Sequence, residues 1–182
     1  MSTEGGQENY RVVLTAEQIH RRIVELARQI SDDFQGKTIH AVCVLESGFV
    51  FMSDLLRELD ADVICHFIRP DFREVGNTTK IFYSPEPVVT GADVLMVETL
   101  LQTGVTIEFL MRNVIARGAA TVRLVTLLDR HAARRVSIQP DYFGFLIDEP
   151  YVFGYGLGSP LTGRNLPYLA SKETSEAQHQ AI

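Results

Sequence analysis

VLMVETLLQTGVTIEFL, Val94 to Leu110, is the stretch on which the reading of this chain turns. Asp93 to Val97 is a short apolar run that reads as a strand. A short loop containing Thr103 and Gly104 follows. From Thr106 onward, Ile107, Leu110, Met111, Val114 and Ile115 recur at the spacing of a helix that buries one face, with Gly118 as its stop signal. The N–H groups at such a loop and helix start have no partner inside the helix, and small residues let an anion approach them. Thr103 and Thr106 add hydroxyl donors. The segment is therefore a candidate phosphate cradle, and an ordinary Thr-capped turn between strand and helix fits the same residues.

Working outward, Thr15 to Ser31 opens with Thr15 and Gln18 as a capping box, and Ile19, Ile23, Leu26 and Ile30 give it one apolar face. Ile39 to Leu45 reads as a buried strand, Gly48 to Leu59 as a helix, Asp62 to Ile68 as a strand, and Thr121 to Leu128 as another. Strands apolar on both faces that alternate with helices predict an α/β fold, a Rossmann-like parallel sheet flanked by helices. Ligands of such sheets bind at the carboxyl ends of the strands. The loops after Leu45, Val97 and Leu128 are thus where chemistry is expected. Two longer stretches, Arg69 to Lys80 and Ile147 to Leu169, are expected to be irregular and to fold over that edge.

The 182 residues are 46% hydrophobic and 22% charged, enough for one sizeable core. A net charge of −6 argues against non-specific binding to nucleic acid. No apolar stretch approaches the ~20 residues of a membrane span, and the polar start, Met1 to Tyr10, does not read as a secretory signal. Cys43 and Cys65, the two cysteines, both lie in apolar strand-like runs, so buried reduced thiols and a cytoplasmic location are expected. His20, His40, His66 and His131 show no metal-ligand spacing.

The Val94–Leu110 segment resembles the phosphoribosyl-pyrophosphate (PRPP) loop of the type I phosphoribosyltransferases, in their hypoxanthine-guanine (6-oxopurine) branch. VLESGFVFMSDLLREL, Val44 to Leu59, resembles that family's first loop and following helix. VTLLDR, Val125 to Arg130, resembles its purine-side strand. DYFGFLIDEPYVFGYGLG and GRNLPYLAS, within Asp141 to Ser171, resemble its C-terminal hood. Order and spacing agree over about Leu14 to Ala170. The resemblance implies a phosphoribosyltransferase-like core and hood at 14–170; polar composition leaves an N-terminal arm at 1–13 and a tail at 171–182 that is expected to be disordered.

It also implies roles. Thr103, Gly104 and Thr106 would cradle a 5′-phosphate. Glu98 and Thr99 stand where the family has two acidic residues on the ribose hydroxyls. Gln102 takes the place of an Asp that acts as general base beside the purine imidazole, and an amide accepts no proton near neutral pH. Glu46 and Ser47 stand where the family has Lys-Gly on pyrophosphate, and Glu46 is expected to repel that anion. Arg164 matches an Arg on pyrophosphate. Gly158 replaces an Asp that helps to bind Mg²⁺. On the base side, Tyr151 would stack on the purine, the Val152 backbone would pair with its edge, and Arg130 would replace a Lys that donates to the 6-oxygen. The Ser-Tyr pair of the family's lid is absent from Arg69–Lys80.

The same residues also fit plainer roles. Tyr151 and Phe153 fit alternate strand positions, Arg130, Arg134 and Arg135 a solvated cluster, Glu98 a helix-end anion, and Asp32-Asp33 a solvated helix end. The implied function is transfer of ribose-5-phosphate from PRPP to a 6-oxopurine in purine salvage. Mg²⁺ is the implied cofactor, and activity is expected to be weak or altered. The alternative is a non-catalytic purine-nucleotide-binding or regulatory protein on the same fold. The family further implies a homodimer or homotetramer, with PRPP or a purine nucleotide as ligand; a structural subunit beside an active paralogue is a third reading.

Overall fold

The computed structural model describes residues 10–75, 78–158 and 163–172. Helix α1 (Ala16–Asp33) starts at the Thr15–Gln18 capping box: the Gln18 N–H donates to the Thr15 hydroxyl and the Thr15 N–H to the Gln18 side chain. Its buried stripe, Ile19, Ile23, Leu26, Ala27 and Ile30, packs beside Phe51, Met52 and Leu55 of α2 (Gly48–Glu58). Together they cover one face of a sheet through Ile39, Ala41 and Cys43 of β2 (Ile39–Val44) and Leu95 and Val97 of β5 (Asp93–Leu101). The alternate residues Val42, Val44, Val94 and Met96 point the other way, onto Ile107, Leu110 and Val114 of α3 (Val105–Ala116). Apolar side chains on both faces of these strands are what a two-sided helical cover requires.

With β3 (Val63–Val75), β4 (Thr78–Ser84), β6 (Thr121–Asp129) and β7 (Tyr142–Leu146), the sheet runs β4-β3-β2-β5-β6-β7. Five strands are parallel, and β4 is antiparallel at one edge. The chain travels from β2 to β3 on one side, then crosses β2 to lay down β5, β6 and β7 on the other. The order therefore switches between β2 and β5, and their carboxyl ends splay into a crevice there.

Several elements differ from the sequence expectation. β5 does not end at Val97 but continues to Leu101, so Glu98 and Thr99 sit on the strand. Within Arg69–Lys80 the described residues are not irregular: β3 runs on to Val75 and pairs with β4, from Arg69↔Ser84 to Val75↔Thr78. Tyr142–Leu146 belongs to the main sheet rather than to the hood. The hood is closed instead by β1 (Tyr10–Leu14) against β8 (Leu169–Lys172), so part of the expected polar arm and the first two residues of the expected tail are paired strands. The rest of both expectations, 1–9 and 173–182, lies outside the described residues. Cys65 is exposed while Cys43 is buried. Asp32 and Asp33 lie exposed at the end of α1, as expected, and Asp33 in addition accepts from Tyr142 Oη (2.6 Å) and Arg123.

Leu26 is fully buried between helix and sheet. Leu26→Ala is expected to lower unfolding free energy by about 2–5 kcal/mol, measured by equilibrium denaturation; a loss below about 1 kcal/mol would mean that this face is not the core contact described.

Candidate functional site

The crevice at the β2/β5 switch is a cleft of about 350 Å³ walled by Val44, Leu45, Ser47, Glu98, the residues from Leu100 to Gly104, and Thr106 and Ile107. Its floor is the turn at Gly104, which caps α3 with φ +80°. A side chain at that α-carbon would meet Ile138 Cγ2 at 2.6 Å and Val136 Cγ2 at 2.9 Å, so both the backbone angle and the packing demand glycine. Among the described residues, the N–H groups of Thr103, Gly104, Thr106 and Ile107 make no hydrogen bond, and that of Val105 reaches only the Thr103 hydroxyl at 3.5 Å. Open amides in a concave loop at a helix N-terminus make a ready anion site.

A buried ion pair holds this turn from below. Arg134 bonds the Asp129 carboxylate, with side chains 7% and 5% exposed, and donates from Nη1 to the Gln102 carbonyl at 2.6 Å. The Arg135 N–H adds a bond to the Thr103 carbonyl at 2.9 Å. Arg130 is buried too. It donates to the Pro150 carbonyl (3.1 Å), the Glu149 carbonyl and the Gln102 side-chain oxygen (3.3 Å). The solvated cluster is thus overturned for Arg130 and Arg134. They brace the loop because β6 ends beside it, at the register Leu101↔Asp129.

Across the cleft, the partly buried Glu98 accepts from the Thr99 N–H at 2.9 Å and from Ser47 Oγ at 3.2 Å. Burial pushes its carboxyl up to about 7, against the pull of the Thr99 and Leu100 amides and the Ser47 hydroxyl. Thr99 is fully buried, and its hydroxyl donates to the Ser47 carbonyl at 2.9 Å. It ties the first loop to β5, its one O–H donor is used there, and its side chain is closed off from the cleft by burial. Glu46 lies between Arg69 Nη2 (3.1 Å) and Arg164 Nη2 (3.7 Å). Two cations against one anion leave positive charge in excess, so the expected net repulsion by Glu46 is offset within the protein.

The hood reaches this loop through Gly156 at φ +86°, where a β-carbon would stand 2.5 Å from the Ser47 carbonyl. That contact sets Arg164, which donates to the Gly156 carbonyl at 2.6 Å, beside Glu46. Tyr151 keeps 46% of its surface exposed and leans on Phe153 at 6.2 Å between ring centroids. Val152 is buried, and among the described residues neither its N–H nor its C=O is paired. No three His, Cys, Asp or Glu converge to hold a metal ion among the described residues, and Gly158 has no side-chain oxygen. Among the described residues, the donors do not fit a resident Mg²⁺.

This combination of a parallel sheet, a switch-point cleft and an amide-lined loop is that of a nucleotide-phosphate-binding α/β protein. The phosphoribosyl transferase domain model matches residues 11–159, and the chain belongs to that family. The hypoxanthine-guanine phosphoribosyltransferase of Bacillus subtilis is 31% identical over 168 residues, 87% of this chain and 91% of that one. The bifunctional protein TilS/HprT of Listeria innocua is 35% identical over 179 residues, and this chain spans only 27% of its length. A hypoxanthine phosphoribosyltransferase structure from Staphylococcus aureus superposes with a TM-score of 0.85 at 30% identity, covering 95% of this chain and 98% of that one.

Sequence reasoning missed Asp129 and Arg134 as supports, and Arg69 as a partner of Glu46. An acid closing an otherwise apolar strand, LVTLLD, was the available signal: such a group needs a cation once buried. The Glu98 carboxyl also makes a pH prediction. Its folded value of about 7 lies above the ordinary 4.5, so the folded state holds this proton more tightly. The stability it confers is complete below about pH 4.5 and is lost as pH rises through about 7. Glu98→Gln cannot titrate, so its Tm relative to the natural protein should rise between about pH 5 and pH 8 by calorimetry; a constant difference would contradict the buried carboxyl.

Proposed function

We propose that this chain is a 6-oxopurine phosphoribosyltransferase of the purine-salvage type whose turnover is slowed by its substitutions. The observation that carries this reading is the set of unpaired amides at Thr103, Gly104, Thr106 and Ile107 in the switch-point cleft. There they would bind the 5′-phosphate of PRPP or of a purine nucleoside monophosphate. Glu98 would face the ribose, Tyr151 would offer its ring to the base, and the unpaired Val152 backbone would meet the base edge. Arg164, with Arg69 beside it, supplies positive charge for the pyrophosphate.

In the transfer, the bond from ribose C1 to the pyrophosphate oxygen breaks and a bond to purine N9 forms. The base gives up a proton to solvent water, pyrophosphate departs with the electron pair of the broken bond, and positive charge develops on the sugar. Glu98, as a carboxylate, stabilises that charge, while Gln102 cannot take the proton. Loss of a general base costs about 10²–10⁴-fold. Mg²⁺ with PRPP is what family membership implies, but no step above passes through it. The non-catalytic alternative draws on the same two substitutions, Thr99 and Gln102, and is decided by turnover.

The test is a product assay with PRPP, Mg²⁺ and hypoxanthine or guanine. Slow formation of inosine or guanosine monophosphate is expected, with Gln102→Asp raising kcat about 10²-fold. Thr99→Asp is a poor companion, since it would set a carboxylate against the Ser47 carbonyl that Thr99 now bonds. Nucleotide binding without product, in the natural protein and in Gln102→Asp alike, would leave the binding-protein reading.

A further inference from the structure

We propose that Tyr155 is a positioning residue of the cleft: its hydroxyl, bonded to Asp54 of α2, holds the hood where Arg164 can reach the pyrophosphate of PRPP. Tyr155 acts through Arg164 and not on the ligand itself. The inference rests on the phosphoribosyltransferase reading above and deepens it.

The backbone at this point is held in an uncommon shape. Gly154 and Gly156 have φ of +100° and +86°, and Tyr155 between them has φ +47°. Among the described residues, Tyr155 is the one non-glycine residue in the left-handed region. That conformation crowds a side chain and persists only where the surroundings fix it. Here the residue is 5% exposed and belongs to the core that Phe51, Met52 and Leu55 of α2 also form. Its hydroxyl donates to one oxygen of the Asp54 carboxylate, whose other oxygen accepts from Arg57. Both oxygens are thus engaged. The ring is packed on α2, and its tip is tied to it.

What this clamp holds is the segment that carries Arg164. The Tyr155 N–H donates to the Leu166 carbonyl and the Gly156 N–H to the Arg164 carbonyl, both at 2.9 Å. Arg164 Nη1 returns a bond to the Gly156 carbonyl at 2.6 Å. Gly156 in turn lies against the start of α2, where its β-carbon would stand 2.5 Å from the Ser47 carbonyl and 3.5 Å from Val50 Cβ. Hood and helix therefore meet at two places, Ser47 at the N-cap and Asp54 two turns later, ~10 Å apart along the axis. One contact would leave the hood free to pivot about Gly156. The second removes that freedom and keeps the Arg164 guanidinium beside Glu46. The base side of the hood has supports of its own: Arg130 on the Glu149 and Pro150 carbonyls, and Ser171 Oγ on the Tyr151 carbonyl at 2.9 Å. Loss of the Tyr155 hydroxyl is therefore felt at Arg164 and not at Tyr151.

The experiment is calorimetric titration of the whole chain with PRPP in the presence of Mg²⁺ and, separately, with guanosine monophosphate, which carries no pyrophosphate. Tyr155→Phe keeps the ring and removes the hydroxyl. It should weaken PRPP about tenfold, the effect of losing one hydrogen bond to a charged group, and guanosine monophosphate by less than about twofold. Asp54→Asn keeps an oxygen that accepts from Tyr155, so its PRPP affinity should stay within about twofold of the natural protein's. Arg164→Met should lose PRPP affinity too, and adding Tyr155→Phe to it should cost nothing more, because the two act as one unit. A general loss of stability would weaken both ligands together, and Asp54→Asn would not separate from Tyr155→Phe. PRPP affinity unchanged in Tyr155→Phe, equal losses for the two ligands, or a further loss in the double variant would each overturn the proposal while leaving the nucleotide site intact. Binding of neither ligand by the natural protein would remove that site, and this inference with it.

Discussion

The turn at Gly104 is the constraint on which the rest of the cleft depends. Its positive φ and the close approach of Ile138 and Val136 leave no room for a β-carbon. The Asp129–Arg134 pair fixes the strand end beneath it and bonds the carbonyl of Gln102, just before the turn. A buried ion pair adds little net stability compared with apolar packing, but losing one partner strands a charge. Its value here is geometric. It holds the loop so that its amides stay open in place of collapsing into a tighter turn.

Around that turn, charges have been redistributed. The acid of the first loop, Glu46, is absorbed by Arg69 and Arg164, which come from the hairpin root and the hood. A buried cation, Arg130, stands without an acid and faces an amide. Thr99 binds a carbonyl of the neighbouring loop. On the proposed reading, the side of the cleft that would take a phosphate keeps its open amides, while the groups that would manage protons and sugar charge differ from those the family resemblance implies. Glu98, raised to about 7, is the acid that remains where the proposed reading puts the ribose.

Much of the architecture was legible from periodicity. The α1 stripe, the capping box at Thr15 and the helix from Val105 follow from spacing alone, because helices that bury one face must repeat at 3.6 residues. The β3–β4 hairpin was not legible. Pro70 and the charged residues of PDFREV break the apolar pattern from which a strand is read, and so mask the edge pairing. The hood strands were missed for a related reason: Tyr10–Leu14 and Leu169–Lys172 lie at opposite ends of the sequence and pair only through the tertiary fold. Within the site, the Thr103–Thr106 loop was legible locally only as a candidate anion cradle, since an ordinary Thr-capped turn fits the same residues. The partners of Glu46, Arg130 and Thr99 were not, since each comes from a distant segment.

The account is tested most directly by a crystal structure of the chain with guanosine monophosphate bound. It predicts phosphate oxygens within about 3 Å of the Thr103–Ile107 amide nitrogens, with the base against Tyr151. A phosphate bound elsewhere, or those amides turned into the protein with the loop empty, would contradict it.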